Sequence, residues 1–228
     1  MIVRRYMDFA SYAFILQNSG LHCARGDQFE DKFEGSYPLK NKDDFSEYDF
    51  NNEDWKKFAI ISCWNHSEHE SDAMWRLYGL TKNSIAIETT YDSLKKLAVD
   101  NTANLCTVKY IDYIQDKAPI LMVSDVFEYK RSSFSHESEL RIIKFKYPPE
   151  PIVNGTQAVS RPREGEEMPK KGKLFEVDLN SFITKVIISP YADMWFYDVV
   201  KKLTACSGVK KKLVNHSELR RDPVYGPN

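Results

Sequence analysis

Blocks of apolar residues alternate with polar blocks along the chain, and their periods predict strands mixed with helices. FAIISCW, residues 58–64, is a continuous apolar run and predicts a buried central strand. SIAIETT, residues 84–90, alternates between apolar and polar positions and predicts another strand. The other predicted strands are IVRRY (2–6), LHCAR (21–25), CTVKYID (106–112), ESELRIIKFKY (137–147), LFEVDL (174–179), KVIIS (185–189) and VKKKLV (209–214).

Helical spacing of apolar residues predicts helices between these strands. The first helix follows Asp8, which can cap it, and Gly20 can end it. Further helices are predicted at 91–100, at 119–133 and after Pro190. Helices and strands do not alternate as strict β-α-β units, so the order favours an α+β fold over a doubly wound parallel sheet. We therefore predict a mixed, largely antiparallel sheet, continuous or split, with flanking helices.

The length of 228 residues predicts one domain spanning 1–228. Residues 148–173 contain prolines, glycines and mixed charges, which indicates a surface loop or hairpin insertion. The formal net charge of −1 gives no reason to expect bulk electrostatic binding to nucleic acid. No stretch approaches the ~20 apolar residues of a membrane span, so we expect no membrane partner.

The four cysteines are widely spaced and form no C-x-x-C pair: Cys23, Cys63, Cys106 and Cys206. This spacing predicts free thiols rather than a zinc site or a disulfide framework. The first ten residues, MIVRRYMDFA, lack the apolar core of a signal peptide. We therefore expect a protein of the reducing cytoplasm.

Several common catalytic and nucleotide-binding motifs are missing from the sequence. It contains no G-x-x-x-x-G-K, no G-x-G-x-x-G and no G-x-S-x-G. HSEHE, residues 66–70, places His66 and His69 three residues apart, but it is not the H-E-x-x-H zinc pattern. We interpret this segment as a polar surface loop.

Two glutamates in FSHESELR, residues 134–141, are the main candidates for chemistry. On a strand, Glu137, Glu139 and Arg141 would all point to the same face. Like charges this close are unfavourable unless a cation faces them, and that cation can belong to the protein or to a ligand. Polar and aromatic residues also gather at other strand ends: Arg5, Tyr6, Phe29, Asp31, Phe33, Glu34, Ser62, Trp64, Glu70, Trp75 and Tyr78.

The order of several unusual words resembles a bacterial protein family, the domain-of-unknown-function family 2971. The words are RYMDF, FEDKFEG, ISCWN, ESDAMWRLYG, SIAIETT, FEYKRSSFSHESELRI and VIISPYAD. The resemblance covers residues 5–217. It implies a shared fold and no particular activity.

A second set of residues resembles ADP-ribosyltransferases of the Arg-Ser-Glu type. That pattern has an arginine on an early strand, a serine on a central strand and a late E-x-E pair. Here the marks fall on Arg5, or one residue earlier on Arg4, then on Ser62, and then on Glu137 and Glu139. The S-T-S triplet of the pattern is replaced by Ser62-Cys63-Trp64. The resemblance implies an ADP-ribosyltransferase-like fold.

The same resemblance implies an enzyme that uses NAD as a substrate. Glu139 would stabilise an oxocarbenium-like transition state, and Glu137 would orient or deprotonate the nucleophile. Arg5 would bind the pyrophosphate, and Ser62 would organise the nicotinamide pocket. The expected aromatic lining is Tyr6, Trp64, Trp75 and Tyr78. The acceptor would be a protein or a nucleic acid, and a toxin or phage-defence role would imply a neutralising antitoxin.

Two alternatives remain at this stage. In a non-enzymatic interaction or sensor domain, the two glutamates would pair with Arg5, Arg76 or Arg141 in a structural network. In a metal-dependent nuclease or hydrolase, Asp31, Glu34, Glu137 and Glu139 would converge with no basic group between them. A nucleic acid could lie along the 148–173 loop, which contains Arg161, Arg163, Lys170 and Lys171, or along the basic run at 210–212.

Overall fold

The computed structural model describes residues 1–45, 53–79, 81–145, 171–210 and 213–223. The described residues divide into two compact units, each built from separate segments of chain. Unit 1 contains Met1–Leu21, Trp64–Ser93 and the residues from Glu176 onward. Unit 2 contains the described residues of His22–Cys63 and Leu94–Phe175.

The described residues form eleven strands and five α-helices. The strands are β1 (Ile2–Asp8), β2 (Gly20–Arg25), β3 (Ala59–Asn65), β4 (Ser84–Thr90), β5 (Asn104–Thr107), β6 (Lys109–Ile111), β7 (Tyr129–Arg131), β8 (Glu139–Phe145), β9 (Gly172–Glu176), β10 (Lys185–Ile188) and β11 (Val214–His216). The helices are α1 (Phe9–Asn18), α2 (Asp72–Tyr78), α3 (Tyr91–Asp100), α4 (Leu179–Phe182) and α5 (Met194–Cys206).

Unit 1 is centred on antiparallel pairing of β1 with β4. All seven residues of β1 pair with β4, from Ile2↔Thr90 to Asp8↔Ser84. β10 pairs antiparallel with β4, and β11 pairs parallel with β10. Every residue of β4 from Ser84 to Thr89 is buried, including the polar positions of its alternating sequence.

Helix α1 begins where the sequence predicts it. The Asp8 side chain accepts a hydrogen bond from the Ser11 N–H at 2.6 Å, so it is the N-cap. The helix ends at Ser19, which adopts the left-handed conformation with φ 45°, one residue before the expected glycine. Tyr12 attaches the helix to α5 through a 2.8 Å hydrogen bond with Thr204.

Unit 2 contains the central apolar strand β3, which extends from Ala59 to Cys63 within this unit. It pairs with β2 and β8, β8 pairs antiparallel with β5, and β9 pairs with β2. β6 and β7 form a separate parallel pair. The unit has a hydrophobic core around Phe127, which is 0% exposed.

These observations confirm an α+β fold with mainly antiparallel strand pairing, two parallel pairs among the described strands, and flanking helices. Among the described residues, no helix is long and apolar enough to cross a membrane.

Three predicted elements differ from the structure. The helix predicted at 119–133 is wrong, because this segment forms a 3-10 helix at Val123–Glu128 and then strand β7. Pairing with β6 and burial of Tyr129 and Lys130 outweigh its helical spacing. The strand predicted at 106–112 is interrupted between β5 and β6, and the final strand begins at Val214 rather than at 209. Most of the loop predicted at 148–173 lies outside the described residues, and Gly172 begins β9.

Candidate functional site

Five charged side chains of unit 2 meet inside the protein: Glu34, Lys130, Glu137, Glu139 and Arg141. We call them the charge cluster. Lys130 Nζ lies 2.6 Å from Glu137 Oε2, 3.1 Å from Glu34 Oε1 and 3.4 Å from Glu139 Oε2. Arg141 donates to Glu139 at 2.7 and 3.0 Å and to Glu34 at 2.6 Å. Each cation therefore bridges at least two carboxylates.

The backbone between the two predicted glutamates explains how both reach the cluster. Glu137 is the last residue of a 3-10 helix, Ser132–Glu137, and not part of strand β8 as the sequence suggested. Ser138 then adopts a left-handed conformation with φ 42°, and Glu139 begins β8. Glu139 and Arg141 share one face of β8 as predicted. Glu137 lies outside β8, and the bend at Ser138 brings its side chain to the charge cluster.

The charge cluster is almost closed to solvent. Glu34, Glu137 and Glu139 are each 4% exposed, Lys130 is 5% exposed and Arg141 is 0% exposed. Isolated charges at such depth would be strongly disfavoured, and mutual pairing offsets the cost of burying them.

The pKa values of the two glutamates bound to Arg141 are shifted in opposite directions. Burial raises the pKa of Glu34, and the fields of Arg141 and Lys130 oppose this only in part. Burial is the largest influence on the pKa of Glu139 and acts to raise it, but Arg141, Lys130 and the Cys63 hydrogen bond together outweigh burial, and the pKa is lowered. Glu139 is therefore held as a carboxylate, and of these two glutamates Glu34 is the more readily protonated.

Aromatic rings cover the cations of the cluster. The Phe134 ring lies 4.7 Å from Lys130 Nζ, and the Phe29 ring lies 5.2 Å from the Arg141 guanidinium. Arg131, beside Lys130 in sequence, lies 4.8 Å from the Phe33 ring and pairs with Asp31 at 2.9 Å. These rings add cation–π attraction and keep water from the ion pairs.

Neighbouring polar groups fix Glu139 further. Its backbone N–H donates to the Tyr110 hydroxyl at 2.9 Å. The Cys63 thiol is hydrogen-bonded to the Glu139 carboxylate, and burial raises the pKa of that thiol. The thiol therefore stays protonated and acts as a donor to Glu139 rather than as a nucleophile.

The predicted site residues are divided between the two units. Glu137, Glu139 and Ser62 belong to unit 2, and Ser62 is 1% exposed on β3. Arg5, Tyr6, Trp64, Trp75 and Tyr78 belong to unit 1.

In unit 1, two of the predicted aromatic residues are in direct contact. Tyr6 and Trp75 meet edge to face with ring centroids 4.8 Å apart, and the Tyr6 hydroxyl accepts from the Ser71 N–H. The Trp75 indole donates to Glu70 at 3.2 Å. Trp64 packs on Phe182 and is 1% exposed, so its ring is part of the core. The remaining member, Tyr78, is 40% exposed at the end of α2.

The two neighbouring arginines of β1 have different surroundings. Arg4 is 6% exposed, forms an ion pair with Glu88 at 3.1 Å, and donates to two carbonyl groups, those of Ser67 and His69. These contacts of Arg4 therefore connect the 66–70 loop to β1 and β4. Arg5 is half-buried, so of these two arginines it is the better candidate for a ligand contact.

The alternatives drawn from the sequence made different predictions about the cations. Arg141, one of the three arginines expected in a structural network, does pair with Glu139, whereas Arg76 pairs with Asp72. The metal-dependent alternative required carboxylates without a basic group between them. The position of Lys130 contradicts that requirement, and no group of three or more potential ligands among the described residues could hold a metal ion.

Sequence reasoning missed the role of Lys130. The helix predicted at 119–133 contains Lys130 and conceals the strand on which Lys130 faces the glutamates. The alternation of Phe127 and Tyr129 with Glu128 and Lys130 is the signal that indicates a short strand. In comparisons with known proteins, no family model matches the chain, and no curated protein or solved structure matches it significantly.

Proposed function

We propose that the protein is an ADP-ribosyltransferase-like enzyme that uses NAD to modify a protein or a nucleic acid. The observation that supports this most is the state of Glu139, a buried carboxylate whose pKa is lowered by the two-point contact with Arg141. A carboxylate of this kind stabilises positive charge on a sugar without first losing a proton. The fold would then be of the ADP-ribosyltransferase type.

In this reaction, NAD supplies a ribose whose bond to the nicotinamide nitrogen breaks, and the bonding electrons leave with neutral nicotinamide. Glu139 stabilises the oxocarbenium character that develops at the ribose carbon. Glu137 orients the acceptor and takes its proton as the new bond to that carbon forms, then releases the proton to solvent. Lys130 contacts both carboxylates and would limit the energetic cost of bringing them together.

Of the residues expected from the sequence to bind NAD, Ser62 belongs to unit 2 and the others belong to unit 1. Arg5 would bind the pyrophosphate by charge-assisted hydrogen bonds, and Ser62 would contact the nicotinamide amide. Of the four aromatic residues expected in the lining, Tyr6, Trp64 and Trp75 are at most 6% exposed within unit 1, and Tyr78 alone is exposed. Of these aromatics, Tyr78 has the most exposed ring described here and is the best suited to stack on a base.

The test is release of nicotinamide from NAD by the purified protein, with cell lysate and bulk RNA offered as acceptors. The variant is Glu139→Gln, which preserves shape and removes charge. Its matched control is Glu88→Gln in unit 1, which also removes a buried carboxylate from an arginine. We expect turnover to fall about 100-fold or more in Glu139→Gln and to persist in Glu88→Gln.

A second function is supported by a different observation, the completeness of pairing in the charge cluster. All three glutamates contact Lys130 or Arg141 and are 4% exposed. A non-enzymatic interaction or sensor domain would use such a cluster to define its fold. This function predicts no nicotinamide release by the wild type, no change in its melting temperature with NAD, and a lower melting temperature for Glu139→Gln.

The cellular setting that we propose is the cytoplasm of a bacterium, in a toxin or phage-defence system. A toxic transferase would require a neutralising antitoxin, and a sensor domain would require a partner to report to. Expression of the wild type and of Glu139→Gln in a bacterial host tests this setting. Growth arrest by the wild type, with normal growth of the variant, is the result expected for a toxin.

A further inference from the structure

Unit 1 carries a group of exposed apolar side chains where α2, the segment leading into α5 and the 3-10 helix Glu218–Arg220 meet. We call this group the apolar patch, and its members are Leu77, Tyr191, Met194, Trp195 and Leu219. Met194 is 65% exposed and Trp195 is 58% exposed. Single apolar side chains on a surface are ordinary, but several in one region mark an interaction site.

Direct contacts hold the three elements of the apolar patch side by side. The Tyr191 hydroxyl donates to Asp72 and accepts from Arg76, both on α2. The Arg76 guanidinium also lies 4.8 Å from the centre of the Tyr191 ring. On the other side, Arg220 of the 3-10 helix donates to the Met194 sulfur at 3.0 Å. The exposed side chains therefore belong to one region of the surface of unit 1.

The residue types in this region are those of protein–protein interfaces. Tryptophan, tyrosine, methionine and arginine are enriched in interface cores, and tryptophan, tyrosine and arginine supply most of the binding energy. Trp195, Tyr191, Met194 and Arg76 place all four types together. Because Tyr191 and Arg76 already hold each other, they would lose little conformational freedom on binding.

Charges of both signs surround the apolar patch. Arg76 pairs with Asp72 at 2.8 Å, and Lys82 pairs with Asp193 at 2.9 Å. A nucleic acid or an anionic membrane surface would favour cations that are not offset by neighbouring acids. The exposed ion pairs instead favour a protein surface that also carries both signs.

A second copy of the same chain meets that requirement. The formal net charge of the chain is −1, so two copies approach each other without strong long-range repulsion. In a two-fold dimer the same surface faces itself. Acids and cations on one copy can then meet the opposite charges on the other, while the apolar side chains are removed from water.

We propose that the apolar patch is the interface of a two-fold symmetric homodimer. Met194 and Trp195 pack against the apolar patch of the partner copy at the centre of the interface. The Arg76–Asp72 and Lys82–Asp193 pairs form its polar rim. This interface lies within unit 1 and does not depend on the proposed transferase activity.

The test is sedimentation velocity of the purified full chain over a range of concentrations, with the wild type beside Trp195→Glu. We expect the wild type to form a dimer as its concentration rises, and we expect Trp195→Glu to dimerise at least about 30-fold more weakly. The variant loses the central aromatic ring and brings two like charges together. Trp195 is exposed in the first turn of α5, where a carboxylate is favourable, so the variant should fold.

A matched control and a second variant complete the design. The control is Val99→Glu on α3 in unit 2, which is 66% exposed and should leave dimerisation unchanged. The second variant is Met194→Glu, in which Arg220 can pair with the new carboxylate and preserve the fold. It should weaken dimerisation as Trp195→Glu does.

Two results would overturn the proposal. One is a wild type that stays monomeric at every concentration, which would leave the apolar patch to a different partner. The other is a dimer that persists unchanged in both Trp195→Glu and Met194→Glu, which would place the interface elsewhere. Neither result bears on nicotinamide release, so failure of the dimer and failure of the proposed function are distinguishable.

Discussion

Glu139 and Arg141, two residues apart on β8, form a two-point ion pair with Nε–Oε1 at 2.7 Å and Nη2–Oε2 at 3.0 Å. Their shared face follows from the two-residue period of a strand. The pair is nearly closed to water, so breaking it should lower the free energy of unfolding more than breaking a surface ion pair would.

Replacing Lys130 by methionine should destabilise the protein by about 3–5 kcal/mol, because Glu34, Glu137 and Glu139 would be left with too few cations. Lys130 is 5% exposed, so water cannot replace the ammonium. Urea unfolding measures the change. Lys109→Met is the control, since Lys109 pairs with Glu128 on the surface and its loss should cost less than about 1 kcal/mol. Equal costs for both variants would contradict the role assigned to Lys130.

Glu34→Gln and Glu139→Gln should show opposite pH dependence of stability. The pKa of Glu34 is raised, so its contribution is complete below its ordinary value of 4.5 and is lost as the pH rises through the raised pKa. The deficit of Glu34→Gln relative to wild type should therefore shrink as the pH rises above 4.5. The pKa of Glu139 is lowered, so its contribution is present above 4.5 and is lost as the pH falls through the lowered pKa.

The deficit of Glu139→Gln should consequently shrink as the pH falls below 4.5. Free energies of unfolding from urea titrations across this range measure both trends, with the wild type as reference. Parallel trends for the two variants would show that the glutamates bound to Arg141 do not differ in their protonation.

Gly35→Ala should destabilise unit 2 by more than about 2 kcal/mol. Gly35 has φ +70°, and an added Cβ would lie 2.5 Å from the Phe127 ring. Gly208→Ala separates the two effects, because Gly208 has φ +77° with nothing within 4 Å of an added Cβ. Its cost should be about 1 kcal/mol, from backbone strain alone. Similar melting temperatures for the two variants would mean that Phe127 shifts without cost.

Asp8→Ala should cost about 1 kcal/mol by removing the N-cap of α1, whose Oδ1 accepts from Ser11. Asp8→Asn should retain most of this stability, because an amide oxygen also caps a helix. Thermal unfolding of both variants gives the comparison. A loss in Asp8→Asn as large as in Asp8→Ala would indicate that the charge, rather than the hydrogen bond, stabilises the helix start.

The sequence predicts features that depend on neighbouring residues better than it predicts contacts between residues far apart in the chain. Strand β4 and the shared face of Glu139 and Arg141 follow from two-residue periodicity, and Asp8 follows from cap chemistry. Glu34 meets Arg141 across 107 positions of sequence, and no local pattern encodes that contact. The bend at Ser138, a polar residue with φ 42°, also has no clear signal, since glycine is the usual choice there.

Both units are assembled from segments that are far apart in the chain, and this has a consequence for synthesis. In unit 1, β1 needs β4, and β4 in turn needs β10, which begins at Lys185. In unit 2, Glu34 can pair with Arg141 only after the 107 positions that separate them have been synthesised. On the ribosome, early segments would therefore emerge long before their partners, with apolar runs such as that of β3 unprotected. Such a chain should depend on chaperones during translation more than a protein of equal length built from local contacts.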